Sequence, residues 1–91
     1  MLRFVVLKKM GRQIESLYSA NELALARKFY TREKESLKQQ GCKVYENKSF
    51  TDKPSIPFEG NIYMGDIESL SFTGHEGSGF MAIKVFNDLT I

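Results

Sequence analysis

The amino-acid sequence predicts an α+β fold, a small two-layer domain in which one long helix packs on one face of an antiparallel sheet of about five strands. Three observations lead to this prediction. One long segment has the periodicity of an amphipathic helix, five segments are rich in residues that favour strands, and their order along the chain is β-β-α-β-β-β. A chain of 91 residues has the length of one domain, so we expect residues 1–91 to form a single compact unit.

The first two strands are predicted to form a hairpin. Residues 2–9 read LRFVVLKK and residues 14–19 read IESLYS, and both segments contain the β-branched and aromatic residues typical of strands. Gly11 lies between them and can adopt the backbone conformation that a tight turn requires.

The helix follows the hairpin directly. Ser19 and Asn21 are candidate N-caps, and Glu22 has the spacing of a capping box relative to Ser19. The chain then contains no glycine or proline until Gly41, which is a typical C-terminal stop. Five apolar residues at helical spacing define the face that we expect to pack on the sheet: Leu23, Ala26, Phe29, Tyr30 and Leu37.

Three further strands are predicted after the helix. Residues 42–50 alternate in polarity, residues 61–72 form a long strand with a bulge near Gly65–Asp66, and residues 79–87 are the most strand-like segment. Residues 51–60 contain both prolines and form the longest irregular segment. The glycine-rich residues 74–79 are expected to be the turn of a hairpin between the last two strands.

The last strand is apolar on both faces, which is typical of a central strand or of a surface covered by another molecule. One helix covers only one face of a sheet, so the other face is a candidate interface with a partner protein or a second copy. The sequence therefore favours a small non-enzymatic binding module that self-associates or regulates a partner. The candidate interface residues are Phe58, Phe80, Ala82 and Phe86.

Composition narrows the class of protein further. Hydrophobic residues make up 42% of the chain and charged residues 26%, which is typical of a folded soluble domain. Cys42 is the only cysteine, which favours a reducing compartment, so we expect a cytoplasmic protein. The four-residue apolar run Phe4–Leu7 is too short for a signal peptide or a membrane span. We expect no bound metal ion, because His75 is the only histidine. We also expect no cofactor.

Charge is distributed unevenly along the chain. Residues 1–48 contain eleven Lys and Arg against five Glu, whereas residues 49–91 contain two Lys against six Asp and Glu. If these two halves occupied different faces, the molecule would have a dipole that could orient a partner. A sheet that interleaves the halves would remove that dipole.

Nucleic-acid binding is the first alternative function. Basic residues lie along one flank and the back of the predicted helix and could contact phosphates, and Tyr30 and Tyr45 could stack on bases. However, the sequence pI of about 8.7 is below the value of about 9 typical of dedicated nucleic-acid domains. The residues of this alternative are Arg27, Lys28, Arg32, Lys34 and Lys38.

Binding of a small anion or nucleotide in the glycine-rich loop is the second alternative. Backbone N–H groups of such loops can surround a phosphate, but the loop here lacks the G-x-x-x-x-G-K-[ST] pattern and precedes a strand rather than a helix. The residues of this alternative are Gly74, His75, Gly77, Ser78 and Gly79.

Glu33 is the one acidic residue within the apolar stripe of the helix. A buried carboxylate at this position could be a functional acid. The structural alternative, which we favour, is that the helix end turns toward solvent or that Glu33 pairs with an arginine of the sheet such as Arg3.

Overall fold

The computed structural model describes residues 2–46 and 61–88. These residues form five strands and one helix in the predicted order. The elements are β1 (Leu2–Met10), β2 (Gln13–Ala20), α1 (Leu23–Gln39), β3 (Lys43–Glu46), β4 (Asn61–Gly74) and β5 (Gly77–Asp88). The predicted α+β fold class is therefore confirmed.

The five strands form one antiparallel sheet in the order β2-β1-β5-β4-β3. The most apolar strand, β5, occupies the centre, as expected for a strand without a polar face. Strands β4 and β5, which belong to the acidic half of the chain, lie between β1 and β3, which belong to the basic half. The sheet therefore interleaves strands of the two halves, while α1, which belongs to the basic half, covers one face of it.

The ends of α1 are built differently from each other. Glu22 is the N-cap and makes no side-chain cap hydrogen bond, while Ser19 belongs to β2 and pairs with Val5, so the predicted capping box does not form. The predicted stop at Gly41 is confirmed, because Gly41 has a φ of 86° and its N–H donates to the Lys38 carbonyl. The Cys42 N–H donates to the Leu37 carbonyl, which completes the Schellman arrangement.

The helix packs on one face of the sheet and encloses the main core. About three turns of the helix contribute Ala26, Tyr30 and Leu37, and the facing side chains of β1, β4 and β5 complete the cluster. These sheet residues are Phe4, Val6, Leu70, Phe72, Met81 and Ile83. Val5, Leu7 and Phe86 form a second buried cluster on the other face, because successive side chains of a strand point to opposite faces of the sheet.

Strand β4 contains the predicted bulge and a second one. The register of β4 against β5 shifts between Tyr63 and Gly65 and again between Asp66 and Glu68. Each shift leaves one residue of β4 without a partner on β5, which changes the face to which the following side chains point. Asp66 consequently lies directly opposite Lys84 of β5.

Candidate functional site

A half-open cavity of about 340 Å³ lies where the end of α1 meets the β4–β5 hairpin. Strand β1 forms one wall, the end of α1 and the residue after it form the second, and the hairpin forms the third. The described residues that line it are Lys8, Met10, Leu37, Gln40, Cys42, Phe72, Gly74, His75, Glu76 and Gly77.

Two glycines allow the hairpin to approach its neighbours closely. A Cβ atom on Gly74 would lie 2.7 Å from the Cys42 sulfur, and one on Gly79 would lie 2.5 Å from Cζ of Phe72. Real Cβ contacts are not this short, so a side chain at either position would displace a wall of the cavity. These glycines therefore allow the close packing that shapes the cavity.

The cavity has an apolar floor and a polar rim. Leu37 and Phe72 are 3% and 2% exposed, and both belong to the main core. The ammonium nitrogen of Lys8 lies 5.5 Å from the centre of the Phe72 ring, a distance typical of a cation–π contact. His75 and Glu76 form the two-residue turn at the rim and are exposed.

The predicted hairpin turn is confirmed, because Gly74 pairs with Gly77 across a two-residue turn. Of the five residues of the anion alternative, Gly74, His75 and Gly77 line the cavity. The other two do not: the Ser78 hydroxyl lies 3.4 Å from that of Thr73, and Gly79 is buried beside Phe72. Sequence spacing could not reveal Lys8, which comes from a strand more than 60 residues away.

The predicted protein interface lies on the sheet face opposite the helix. Phe80 is 36% exposed, but Ala82 and Phe86 are 0% and 4% exposed in the single chain, so these two side chains offer no surface to a partner. Phe58 lies outside the described residues. Among the described residues of the predicted interface, Phe80 is therefore the exposed one, and the interface itself stays a prediction.

A second exposed aromatic residue lies close to Phe80 on the same face. Ser71 of β4 pairs with Phe80 on one side and with Tyr45 of β3 on the other. The side chain of Tyr45 is 47% exposed. Adjacent strands are about 4.8 Å apart, so the two aromatic residues are separated by about 10 Å across the sheet. We call Tyr45, Ser71 and Phe80 the aromatic row.

A buried ion pair lies further along the same face, and the sequence patterns did not reveal it. Lys84 is 0% exposed, and its ammonium donates to the Asp66 carboxylate at 2.7 Å. The Tyr63 hydroxyl donates to the same carboxylate and lies 3.4 Å from the Lys84 nitrogen. Burial and the negative charge of Asp66 raise the pKa of Tyr63, so its hydroxyl stays protonated at neutral pH.

The basic flank of the helix is largely engaged with carboxylates. Lys34 donates to Glu46 at 2.8 Å, and this pairing raises the pKa of Lys34 and lowers that of Glu46. The other ion pairs of this set are Arg27 with Glu68 and Lys38 with Glu35, at 3.6 and 3.9 Å. Lys28 and Arg32 are exposed on the helix surface.

The two tyrosines of the nucleic-acid alternative differ in exposure. Tyr30 is only 4% exposed within the core, so its ring cannot stack on a base, whereas Tyr45 is accessible. Burial, together with the negative charges of Glu68 and Glu46, raises the pKa of Tyr30.

Glu33 is half-buried on α1, and the proposed pairing with Arg3 is wrong. Arg3 precedes Phe4, which packs against the helix, so Arg3 points to the opposite face of the sheet. Glu33 and the helix lie on the Phe4 side, and the sheet itself separates the two side chains.

Within residues 2–46 and 61–88 no group of three or more metal-binding side chains is found. In the same part of the chain no helix is long and apolar enough to cross a membrane.

The fold and the cavity define the chain as a small α+β domain with a five-stranded antiparallel sheet, one covering helix and a pocket at the helix end. Comparison with protein-family models, with curated proteins and with solved structures finds no match to this chain.

Proposed function

We propose that this protein is a non-enzymatic binding module that associates with a second copy of itself through the aromatic row. The observation that carries the proposal is the exposure of Tyr45 and Phe80, which flank Ser71 on the sheet face that the helix does not cover. Aromatic residues are enriched at the centres of protein interfaces, where they bury large apolar area with little loss of conformational freedom. A two-fold axis through the row would place the same two rings of each copy against each other.

The charge of the aromatic row is compatible with self-association. Tyr45, Ser71 and Phe80 carry no charge, and Lys9 of β1, which pairs with Phe80, lies at the end of the row, so two copies could meet at Ser71 with the two Lys9 side chains at the edge of the contact. The engaged cations Arg27, Lys34 and Lys38 lie on the other side of the sheet, on the helix, and would remain outside such an interface. This second observation makes nucleic-acid binding through the helix flank the weaker of the two functions.

The test measures molar mass by light scattering after size exclusion at several protein concentrations. We expect the wild-type chain to form a dimer and the double variant Tyr45→Ser, Phe80→Ser to be a folded monomer. The matched control is Leu25→Ser, because Leu25 is an apolar residue that is 45% exposed on the helix, away from the aromatic row. The control variant should dimerise like the wild type.

The result that would overturn the proposal is a wild-type monomer at every concentration, or a dimer that survives the double substitution. Absorbance at 260 nm, recorded across the same peak, reports on the nucleic-acid alternative. A high value that disappears in an Arg32→Glu, Lys28→Glu variant would favour that alternative instead.

We further propose that the protein works in the cytoplasm. A single half-buried thiol, Cys42, stays reduced and unpaired in such a compartment. Labelling of Cys42 by a maleimide directly after cell lysis would test this location, and a thiol found blocked as a mixed disulfide would contradict it.

A further inference from the structure

We propose that the cavity between the end of α1 and the β4–β5 hairpin binds a small monocarboxylate that carries an apolar group. The proposal goes beyond self-association, because the cavity lies on the helix side of the sheet and the aromatic row lies on the opposite side. A volume of about 340 Å³ is at the lower end of the range of small-molecule sites, which indicates a small ligand.

Lys8 is the group that we expect to bind the carboxylate. It is the only lysine or arginine among the described residues that line the cavity. Its ammonium is positioned above the Phe72 ring, and no carboxylate of the described residues lies within ion-pair distance of it. A cation held over an aromatic ring retains hydrogen-bond donors for an anion, because the ring contact uses one side of the ammonium group.

The other lining residues determine what the rest of the ligand is. Leu37, Phe72 and Met10 provide an apolar floor that would bury a hydrocarbon group, at a gain of about 25 cal/mol for each Å² removed from water. The C-terminal end of α1 carries partial negative charge, so we place the carboxylate at Lys8 and the hydrocarbon group toward Leu37.

Glu76 explains why a monoanion fits better than a phosphate or a nucleotide. Glu76 lines the same cavity, and a ligand with two or more negative charges would meet its negative charge while Lys8 is the one lysine or arginine among the described lining residues. The glycine-rich loop therefore contributes space and a rim to the site, and not the set of N–H donors found in phosphate loops.

The site can be tested with 4-phenylbutyrate as the probe, because the only cysteine of the chain, Cys42, lines the cavity. We expect the probe to slow alkylation of Cys42 by iodoacetamide and to shift the amide NMR signals of Gln40 and of residues 75–77. A ligand of this size that buries one hydrocarbon group and makes one ionic contact should bind with a dissociation constant in the millimolar range, by order of magnitude.

Charge dependence distinguishes the proposed site from a nonspecific apolar pocket. The neutral amide of the probe and the Lys8→Met variant should each weaken binding about tenfold or more, the effect typical of losing a hydrogen bond to a charged group. The Lys8→Arg variant should retain binding. The matched control is Lys28→Met, which removes an exposed lysine of α1 outside the cavity and should bind like the wild type.

Three further probes identify the source of the carboxylate. Phenylalanine represents a free amino acid, N-acetylphenylalanine represents the C-terminus of a peptide, and inorganic phosphate represents the competing anion. Tighter binding of either carboxylate probe than of phosphate supports the proposal and identifies the ligand class. Tighter binding of phosphate overturns it.

The proposal is also overturned if the probe gives no protection of Cys42 at millimolar concentration, or if its neutral amide binds equally well. The comparison of acid and amide uses the unmodified chain, so it remains decisive even if Lys8→Met fails to fold. Dimerisation is measured separately by light scattering, so a failure to dimerise does not change the interpretation of carboxylate binding, and a failure to bind the carboxylate does not change the interpretation of dimerisation.

Discussion

Lys84 is buried in the sheet face opposite the helix, and its positive charge is balanced by Asp66 at 2.7 Å. A buried charge is tolerated only when it is paired and hydrogen-bonded. Tyr63 supports the pair in two ways, since its hydroxyl donates to the same carboxylate and its ring centre lies 5.1 Å from the Lys84 nitrogen. The two bulges of β4 make this arrangement possible by placing Asp66 opposite Lys84.

This pairing predicts an asymmetry between two substitutions. Asp66→Asn removes the negative charge that lies 2.7 Å from the buried ammonium, and we expect a loss of roughly 2 kcal/mol in the free energy of unfolding, less than for a fully enclosed pair because the Asp66 side chain is 23% exposed. Lys84→Met removes the buried charge and leaves a carboxylate that water can reach, so we expect a change near zero or a gain in stability. Urea denaturation measures both variants, and a larger loss for Lys84→Met than for Asp66→Asn would contradict the prediction.

At the scale of single residues, some features could be predicted from sequence and others could not. The stop at Gly41 depends on local backbone conformation, and the sequence alone identified it. The environment of Lys84 depends on where the bulges of β4 place Asp66, which is a property of strand register. Ala82 and Phe86 were predicted as interface residues, but their burial depends on the whole chain and was not predictable from alternation.

At the scale of the elements, an ion pair connects the helix to the edge strand β3. Lys34 lies 2.8 Å from Glu46, and both carry pKa values shifted in the direction that favours the charged forms. Strand β3, as far as the structure describes it, comprises Lys43–Glu46 and pairs in the sheet with β4. The pair therefore provides a second attachment for a short strand at the edge of the sheet.

The pair predicts a stability difference that depends on pH. The folded-state pKa of Glu46 is below its ordinary value of 4.5, so its contribution is present at neutral pH and is lost as the pH falls through the folded pKa. We expect Glu46→Gln to lower the urea midpoint at pH 7 and to match the wild type once the wild-type carboxyl is protonated in acid. The matched control is Glu35→Gln, whose pair with Lys38 is exposed and 3.9 Å long and should contribute little.

A difference between Glu46→Gln and the wild type that persists unchanged in acid would show that the glutamate acts through packing rather than charge.

The absence of a side-chain cap at Glu22 leaves the start of α1 dependent on tertiary contacts, such as the stacking of Phe29 on Tyr18 at 4.8 Å. The sequence predicted a helix here correctly, but Ser19 of the predicted capping box belongs to β2, and Glu22 is the N-cap.

At the scale of the whole molecule, the sheet order connects the two ends of the chain. Strand β1 pairs with its sequence neighbour β2 on one side and with β5, from the far end of the chain, on the other. The order of elements was predictable from periodicity, and the sheet order was not, because pairing between distant strands is decided by packing and not by local sequence. The cavity shares this origin, since Lys8 and the hairpin meet only through the pairing of β1 with β5.

This topology predicts that residues 1–46 do not fold alone, although they include two strands, the helix and β3. In the fragment, β3 would have no sheet partner, because it pairs only with β4. The helix residues Ala26 and Tyr30 would lose Leu70, Phe72, Met81 and Ile83, which are the β4 and β5 residues of the same core cluster. A two-stranded hairpin with one helix cannot replace this buried area, and such small units are rarely stable.

We expect the fragment to give narrow amide NMR dispersion and no cooperative thermal transition, whereas the full chain gives both wide dispersion and a single transition. A cooperative transition in the fragment would show that the core is organised by the N-terminal half, with β4 and β5 added to a structure that already exists.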